Sequence, residues 1–259
     1  MRLSSLIVVG AVMLAPLAAV EAKDEVLGKA VAGSHRTAAL VERDKARKPQ
    51  EELEFFGIKP TMTVVEISPG GGYWTEILAP YLKDKGTYYT AVSPRQVDTW
   101  KKKLEGNAAV YGNVKISQMG GGTYDIAPDG SADMVLTFRN VHNWMAQGTA
   151  EQAFAAFYKA LKPGGILGVE EHRGSDKVPQ DPKAANGYVR QDYTVQLAEK
   201  AGFKLVGSSE ILANPKDTKD WPKGVWTLPP TLTLGDTDRA KYVAIGEADN
   251  FVLKFQKPK

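Results

Sequence analysis

The sequence contains no cysteine. That excludes disulfides, thiolate catalysis, cysteine-ligated zinc and a lipid anchor on cysteine. Histidine is scarce, at three residues, and none stands in an H-x-x-x-H or similar ligand spacing, so no metal site is expected. The net charge of +3 comes without a long basic block. The run Lys101–Lys103 reads as the solvated end of a helix, and nucleic acid is not an expected partner. There is no internal repeat, no low-complexity tract and no apolar run that would span a bilayer comfortably. The apolar stretch Leu6–Val20, behind Arg2, reads instead as the core of an export signal cut after Ala22, or earlier after Ala18 or Ala19. No twin arginine precedes it, which favours export of an unfolded chain. A periplasmic or secreted protein is therefore expected, with an uncleaved N-terminal membrane tether as the alternative.

What is present is ordinary globular composition, 43% hydrophobic and 24% charged. The spacing of apolar residues divides the chain into a signal over 1–22, a helical segment over 23–60, an alternating core over 61–212 and a distinct C-terminal part over 213–259, all forming one globular unit. Residues 26–47 read as one polar-faced helix ending before Pro49, and "PQEELEFFGIKP" as a second, closed by Gly57 and Pro60. Then "TVVEI", "GTYYTAV", "NVKISQM", "ADMVLTF" and "GGILGVEE" read as strands. "YWTEILAPYL", "TAEQAFAAFYKAL" and "YVRQDYTVQLAEKAGF" read as helices, and "KLVGSSEIL" and "NFVLKFQK" as closing strands. Strands alternating with helices imply an α/β fold, a mostly parallel sheet covered on both faces. Ala213–Asp249 is a long connection rich in Pro, Trp and Gly. Such a connection inside a compact domain is more often functional than idle, and a helix capped by Asp236 or Thr237 is expected within it.

The stretch "EISPGGGYW", Glu66 to Trp74, joins a strand to a helix through glycines. Such a turn lets backbone N–H groups approach a ligand and favours an anion at the helix start. A dinucleotide loop fits less well, because the sixth position from Gly70 is Thr75 and "YYTAVSP" offers no acid after the second strand.

Three stretches together, "VVEISPGGGYWTEILA", "PDGSADMVLTFRNVHNW" and "FYKALKPGGILGVEEH", resemble the class I S-adenosylmethionine-dependent methyltransferases over roughly residues 50–212. More narrowly, the chain resembles an exported bacterial group of predicted methyltransferases. The resemblance implies a Rossmann-like seven-stranded sheet, mostly parallel with an antiparallel C-terminal strand and helices on both faces. It implies S-adenosylmethionine as cofactor, a small-molecule or envelope acceptor, and a cofactor site drawn from Glu66, Ser68, Gly70, Gly71, Gly72, Ser93 and Asn140. Three positions depart from the family pattern. Ser68, followed by Pro69, replaces the first glycine, Val92 or Ser93 replaces the acid after the second strand, and Gly121 stands near the acid that reads the adenine, with Asp125 as a possible substitute. The alternative is a methyltransferase fold reused as a non-methylating binding protein or another enzyme.

Chemistry at the acceptor calls for a base. His142 after the fourth strand and His172 after the fifth face one crevice by topology, and are the candidate catalytic residues. The plainer alternatives are a loop hydrogen bond for His142 and a surface position for His172. His35 is expected on the surface. Glu170, Glu171, His172 and Asp192 are the residue types of a carboxylate–imidazole metal site, but neighbours on a regular strand face opposite ways. Tyr188 and Arg190 are candidates for holding an anionic substrate, with an ordinary helix start as the alternative. Trp144, Trp221 and Trp226 form either an aromatic wall or core packing.

Overall fold

A computed structural model describes residues 24–259. The expected signal over 1–22 lies outside the described residues. Among those described, no helix is long and apolar enough to cross a membrane.

Eight strands form one sheet: β1 (Thr63–Ile67), β2 (Thr87–Val92), β3 (Val114–Gly120), β4 (Thr123–Asp125), β5 (Ala132–Phe138), β6 (Leu161–His172), β7 (Lys204–Ser209) and β8 (Asn250–Gln256). Their order is β4-β3-β2-β1-β5-β6-β8-β7. β1 pairs parallel with β2 and β5, β2 with β3, and β5 with β6. β8 runs antiparallel between β6 and β7. The sheet has one strand more than the expected seven, because β4 folds back against β3 through Gly121 and Gly122. Both glycines take positive φ, 61° and 88°, which the tight return requires. The turn expected at "KPGG" lies within β6 as a register shift opposite Ala132–Met134.

Alternate residues of each strand feed opposite faces. Val65, Ile67, Val135 and Leu167 pack with Phe154 and Phe157 of the helix Ala150–Ala160. Val64, Met134, Leu136 and Val252 pack with Ile77 and Leu78 of the helix Thr75–Leu82, and with Leu53 and Phe56 of the helix Pro49–Phe56. The latter helix is closed by Gly57 at φ 79°, as expected.

Three expectations need correction. The single helix over 26–47 is three short ones, Glu25–Val31, Ala38–Val41 and Asp44–Arg47. Gly33 follows the first, and Arg36 donates to the freed Val31 carbonyl (2.8 Å) while pairing with Asp44 (2.6 Å), which folds the chain back on itself. The helix expected from Tyr188 begins at Gln191, because Tyr188 and Val189 are bound into the sheet end, Val189 N–H donating to the His172 carbonyl. The helix within the connection, Arg239–Ile245, starts from Asp238 at φ 51° rather than from Asp236 or Thr237, and no side chain caps it.

Candidate functional site

The strand order reverses between β1 and β5, and both strands end in strain. Ser68 takes φ 50° and Arg139 takes φ 59°. A residue with a Cβ in this region costs on the order of 1 to 3 kcal/mol, so something must hold it. Ser68 N–H donates to the Ala91 carbonyl (2.9 Å) and Arg139 N–H to the Glu170 carbonyl (2.7 Å). Between these strand ends opens a cavity of about 320 Å³, and Ser68, Gly70, Gly71, Asn140, His142 and His172 all line it. This is the crevice at which open α/β sheets bind ligands.

A second cavity of about 280 Å³ adjoins it. Ser68 and Asn140 line both, and Ser93, Gly121 and Tyr124 line only the second. The residues expected to bind the cofactor therefore spread over two adjoining chambers. At the first, a Cβ added to Gly70 or Gly71 would meet nothing within 4 Å; it would stand in the cavity. Gly72 is different. It is buried, and its Cβ would meet Lys103 Nζ at 2.8 Å, so it allows close packing rather than ligand approach. Asn140 spends its amide on Ile67 O (3.1 Å) and Thr137 Oγ1 (3.2 Å). Ser93 bonds Gln96 (3.1 Å). Asp125 of β4 pairs with Gln118 of β3; it is exposed and is not among the residues lining either chamber.

Glu66 is buried at the floor. Its Oε2 accepts from Thr75 Oγ1 (2.7 Å) and from Tyr88 OH. Burial raises its carboxyl to about 7, against the opposing pull of those hydroxyls and of Lys103.

His142 and Glu171 face each other across 3.0 Å, between Nδ1 and Oε1. The His142 backbone N–H donates to Oε2 (3.2 Å) and the His172 N–H to Oε1 (2.8 Å). Burial alone would lower the His142 imidazole, but the Glu171 charge and hydrogen bond outweigh it and hold the group above 6.5. Glu171 is correspondingly lowered: burial raises it, and His142 and His172 more than compensate. His172 gives Nδ1 to Asn250 Oδ1 (2.8 Å), and Asn250 in turn donates to Glu170 (3.0 Å). Burial takes His172 down to about 4, assisted by His142 and Arg139 and opposed by Glu171.

Glu170, Glu171, His172 and Asp192 do not come together as one group. Glu170 turns to Arg139 (3.1 Å), and Asp192 pairs with Arg190 on the surface (2.6 Å). His142, Glu171 and His172 do converge, with ligand-capable atoms within 4.8 Å. The two Glu171 oxygens already accept N–H bonds, which suits an orienting carboxylate. Tyr188 and Arg190 lie outside this cavity, and Arg190 lines a separate one of about 1010 Å³. The Tyr188 hydroxyl bonds Asp217 (2.9 Å), and neither residue lines the main cavity. Of the three tryptophans only Trp226 forms part of its wall, 6.1 Å from the His142 ring. Trp144 packs on Phe157 beside the second chamber, and Trp221 on Tyr242. His35 is half-buried rather than on the surface, its Nε2 2.6 Å from the Glu76 carbonyl.

Sequence reasoning missed the roof. Arg43 forms a two-pronged bond to Glu247 (2.8 and 2.7 Å), closing the N-terminal segment onto the end of the long connection above the cavity. Arg47, Arg139, Val225 and Pro230 line the same space. Two residues so far apart in sequence carry no local signal of contact.

Residues 64–165 match a family model described as a methyltransferase domain. No curated protein matches the chain. A SAM-dependent methyltransferase from Aquifex aeolicus is similar in structure at 17% identity, with 83% of this chain and 93% of that one covered and a TM-score of 0.57. The [4+2]-cyclase SpnF is similar at 17% identity, 90% and 91% coverage and a TM-score of 0.56. An arsenic(III) S-adenosylmethionine methyltransferase from Chlamydomonas reinhardtii is similar at 15% identity, 90% and 73% coverage and a TM-score of 0.52.

Proposed function

We propose that this chain, which carries a class I S-adenosylmethionine-dependent methyltransferase domain, methylates an oxygen or nitrogen of a small acceptor with His142 as the base. The observation that carries this reading is the buried His142–Glu171 pair, 3.0 Å apart, on the wall of the cavity that the glycine turn also lines. The residues fit the cofactor. The open space over Gly70 and Gly71 suits its amino-acid end, and the chamber beside Ser93 and Tyr124 suits its nucleoside. When bound, S-adenosylmethionine supplies an electrophilic methyl group.

The chain's own residues do the rest. Glu171 accepts from His142 Nδ1–H, which leaves Nε2 with its lone pair as the atom able to take a proton. Two backbone N–H bonds fix the carboxylate, so the ring has little freedom to turn. Trp226, Val225 and Pro230 give the roof side an apolar lining. Once His142 takes the proton, Glu171 stabilises the resulting imidazolium. The proposal extends to compartment: the apolar run Leu6–Val20 behind Arg2 supports export, and a reporter fused after Ala22 tests it.

The test is to incubate purified protein with methyl-labelled S-adenosylmethionine and a cell-envelope extract. Label should enter a low-mass product, and His142→Gln should abolish incorporation while leaving adenosylhomocysteine affinity within twofold. Equal incorporation by the variant would remove His142 from the mechanism.

A second reading, the fold without methyl transfer, is favoured by the second strand, which ends in Val92-Ser93 without an acid. SpnF, named a cyclase, shares the fold. Small molecules bound to the purified protein, identified by mass spectrometry, separate the two; adenosylhomocysteine among them would count against this second reading.

A further inference from the structure

Arg47 lines the crevice cavity almost fully buried, 5% exposed, and its side chain makes no hydrogen bond among the described residues. Its Nε is sealed from solvent without an acceptor. The nearest carboxylate is Glu247, 3.7 Å from Nε and already engaged by both prongs of Arg43. The guanidinium lies over the Tyr73 ring at 4.3 Å, which fixes its plane but satisfies none of its five donors. A buried guanidinium in this condition is costly, and folded proteins seldom keep one without a partner. Its other neighbours are Arg43 and Arg139, both positive, and Glu170, which is bonded to Arg139 and Asn250. Glu52 is also fully buried, and burial first, then Glu170, push its carboxyl well above the usual range against the pull of Arg139 and Arg47.

The glycine turn shares the cavity with Arg47. Pro69 has no N–H, so this turn offers one donor fewer than a run of glycines would. An anion placed there needs another source of donors, and Arg47, over the ring of the Tyr73 that follows the turn, lines the same cavity with a rigid fork unspent.

We propose that Arg47 anchors a carboxylate-binding subsite of this cavity, gripping both oxygens of one carboxylate with its fork. This deepens the methyl-transfer reading and rests on it. Two sources present such a group: the amino-acid end of the cofactor, and a carboxylate on the acceptor.

The full chain, as wild type, Arg47→Gln and Arg47→Lys, is titrated calorimetrically with adenosylhomocysteine and with methylthioadenosine, which keeps the nucleoside and thioether but lacks the carboxylate. Benzoate is then titrated into protein saturated with adenosylhomocysteine. If the cofactor supplies the carboxylate, Arg47→Gln weakens adenosylhomocysteine at least tenfold, Arg47→Lys less, and methylthioadenosine stays within twofold. If the acceptor supplies it, both nucleosides bind unchanged and the benzoate signal of the wild type disappears in Arg47→Gln. The proposal is overturned if all three bind the variant as they bind wild type. It is equally overturned if all three weaken together with a fall in the ligand-free melting temperature, since Arg47 leaves no hydrogen-bond partner stranded when removed. A wild type silent to both nucleosides contradicts the cofactor reading instead. Benzoate titrated into the ligand-free protein then judges Arg47 alone, its loss in Arg47→Gln supporting the subsite and an unchanged signal refuting it.

Discussion

Three histidines in the whole chain make the central residue observable. His142 is held above 6.5 by Glu171 against the effect of burial, and His172 is held down to about 4. The paired, charged form of His142 therefore stabilises the fold fully below pH 6.5 and is lost as pH rises through the raised value. The same titration frees Nε2 to act as a base, so methyl transfer should rise with pH above 6.5. NMR titration of the imidazole C–H signals should show one ring titrating above 6.5 and another near 4. Glu171→Gln should bring the first below 6.5, since burial would then act without its counterweight. An unchanged His142 titration in that variant would contradict the dyad. Glu66 follows the same sign in a lower window. Its carboxyl, ordinarily near 4.5, is raised to about 7 by burial. The native state then keeps a proton that the unfolded chain has lost, and stability falls as pH rises from 4.5 to about 7. The loss is on the order of 3 kcal/mol at roughly 1.4 kcal/mol per pH unit. Glu66→Gln should remove that slope from urea-denaturation midpoints measured across the window. Both histidines were legible from topology, because each follows a strand at its carboxyl end. Glu171 was visible only as half of "EEHR". Its role as the partner of His142, 29 positions away, depends on the pairing of β5 with β6, which no local pattern states.

At the scale of elements, the strands were the most legible feature, since their apolar runs are bounded by Gly and Pro. What escaped was the detail that bends them. β4 has three residues and no apolar signature, and it exists because glycines return the chain. The N-terminal helix is broken by a side-chain device that apolar periodicity does not show, Arg36 capping Val31 while held by Asp44. β6 illustrates how tightly the central strands are packed. A Cβ on Gly168 would meet Leu136 Cδ2 at 2.7 Å and Phe56 Cδ1 at 2.9 Å, squeezed between β5 and the helix Pro49–Phe56. Gly168→Ala should therefore destabilise by about 1 to 3 kcal/mol, read from denaturant midpoints at unchanged slope. Stability equal to wild type would mean that the two layers sit further apart than described.

The whole molecule builds its site from both ends of the chain. The glycine turn and strand ends form the floor. Arg43 and Arg47 come from the first described quarter of the sequence, and Trp226 to Glu247 from the last. The connection carrying the latter is anchored through Asp217, which is buried and accepts from Tyr188 OH (2.9 Å), Trp221 Nε1 (2.7 Å) and Asp249 N–H (2.8 Å). Asp217→Ala strands these donors, and losses on the order of 1 to 3 kcal/mol per buried unsatisfied group follow. Limited proteolysis of that variant should cut first between 213 and 249, leaving the sheet intact; cleavage spread evenly over the chain would show that the connection is not a separately anchored roof. The sequence flagged this connection by its length and composition, but not what it covers. The partner of Tyr188 was hidden for the same reason: its hydroxyl serves an anchor 29 positions on.

The central claim is that the two adjoining chambers at the ends of β1, β2 and β5 hold the cofactor. Isothermal titration of the purified protein with adenosylhomocysteine tests it most directly. The account predicts saturable binding at one site per chain, weakened at least tenfold when Gly71 is replaced by Leu, whose side chain would fill the open space over the turn. No heat with the wild type at millimolar adenosylhomocysteine and S-adenosylmethionine, or equal binding by Gly71→Leu, would contradict it.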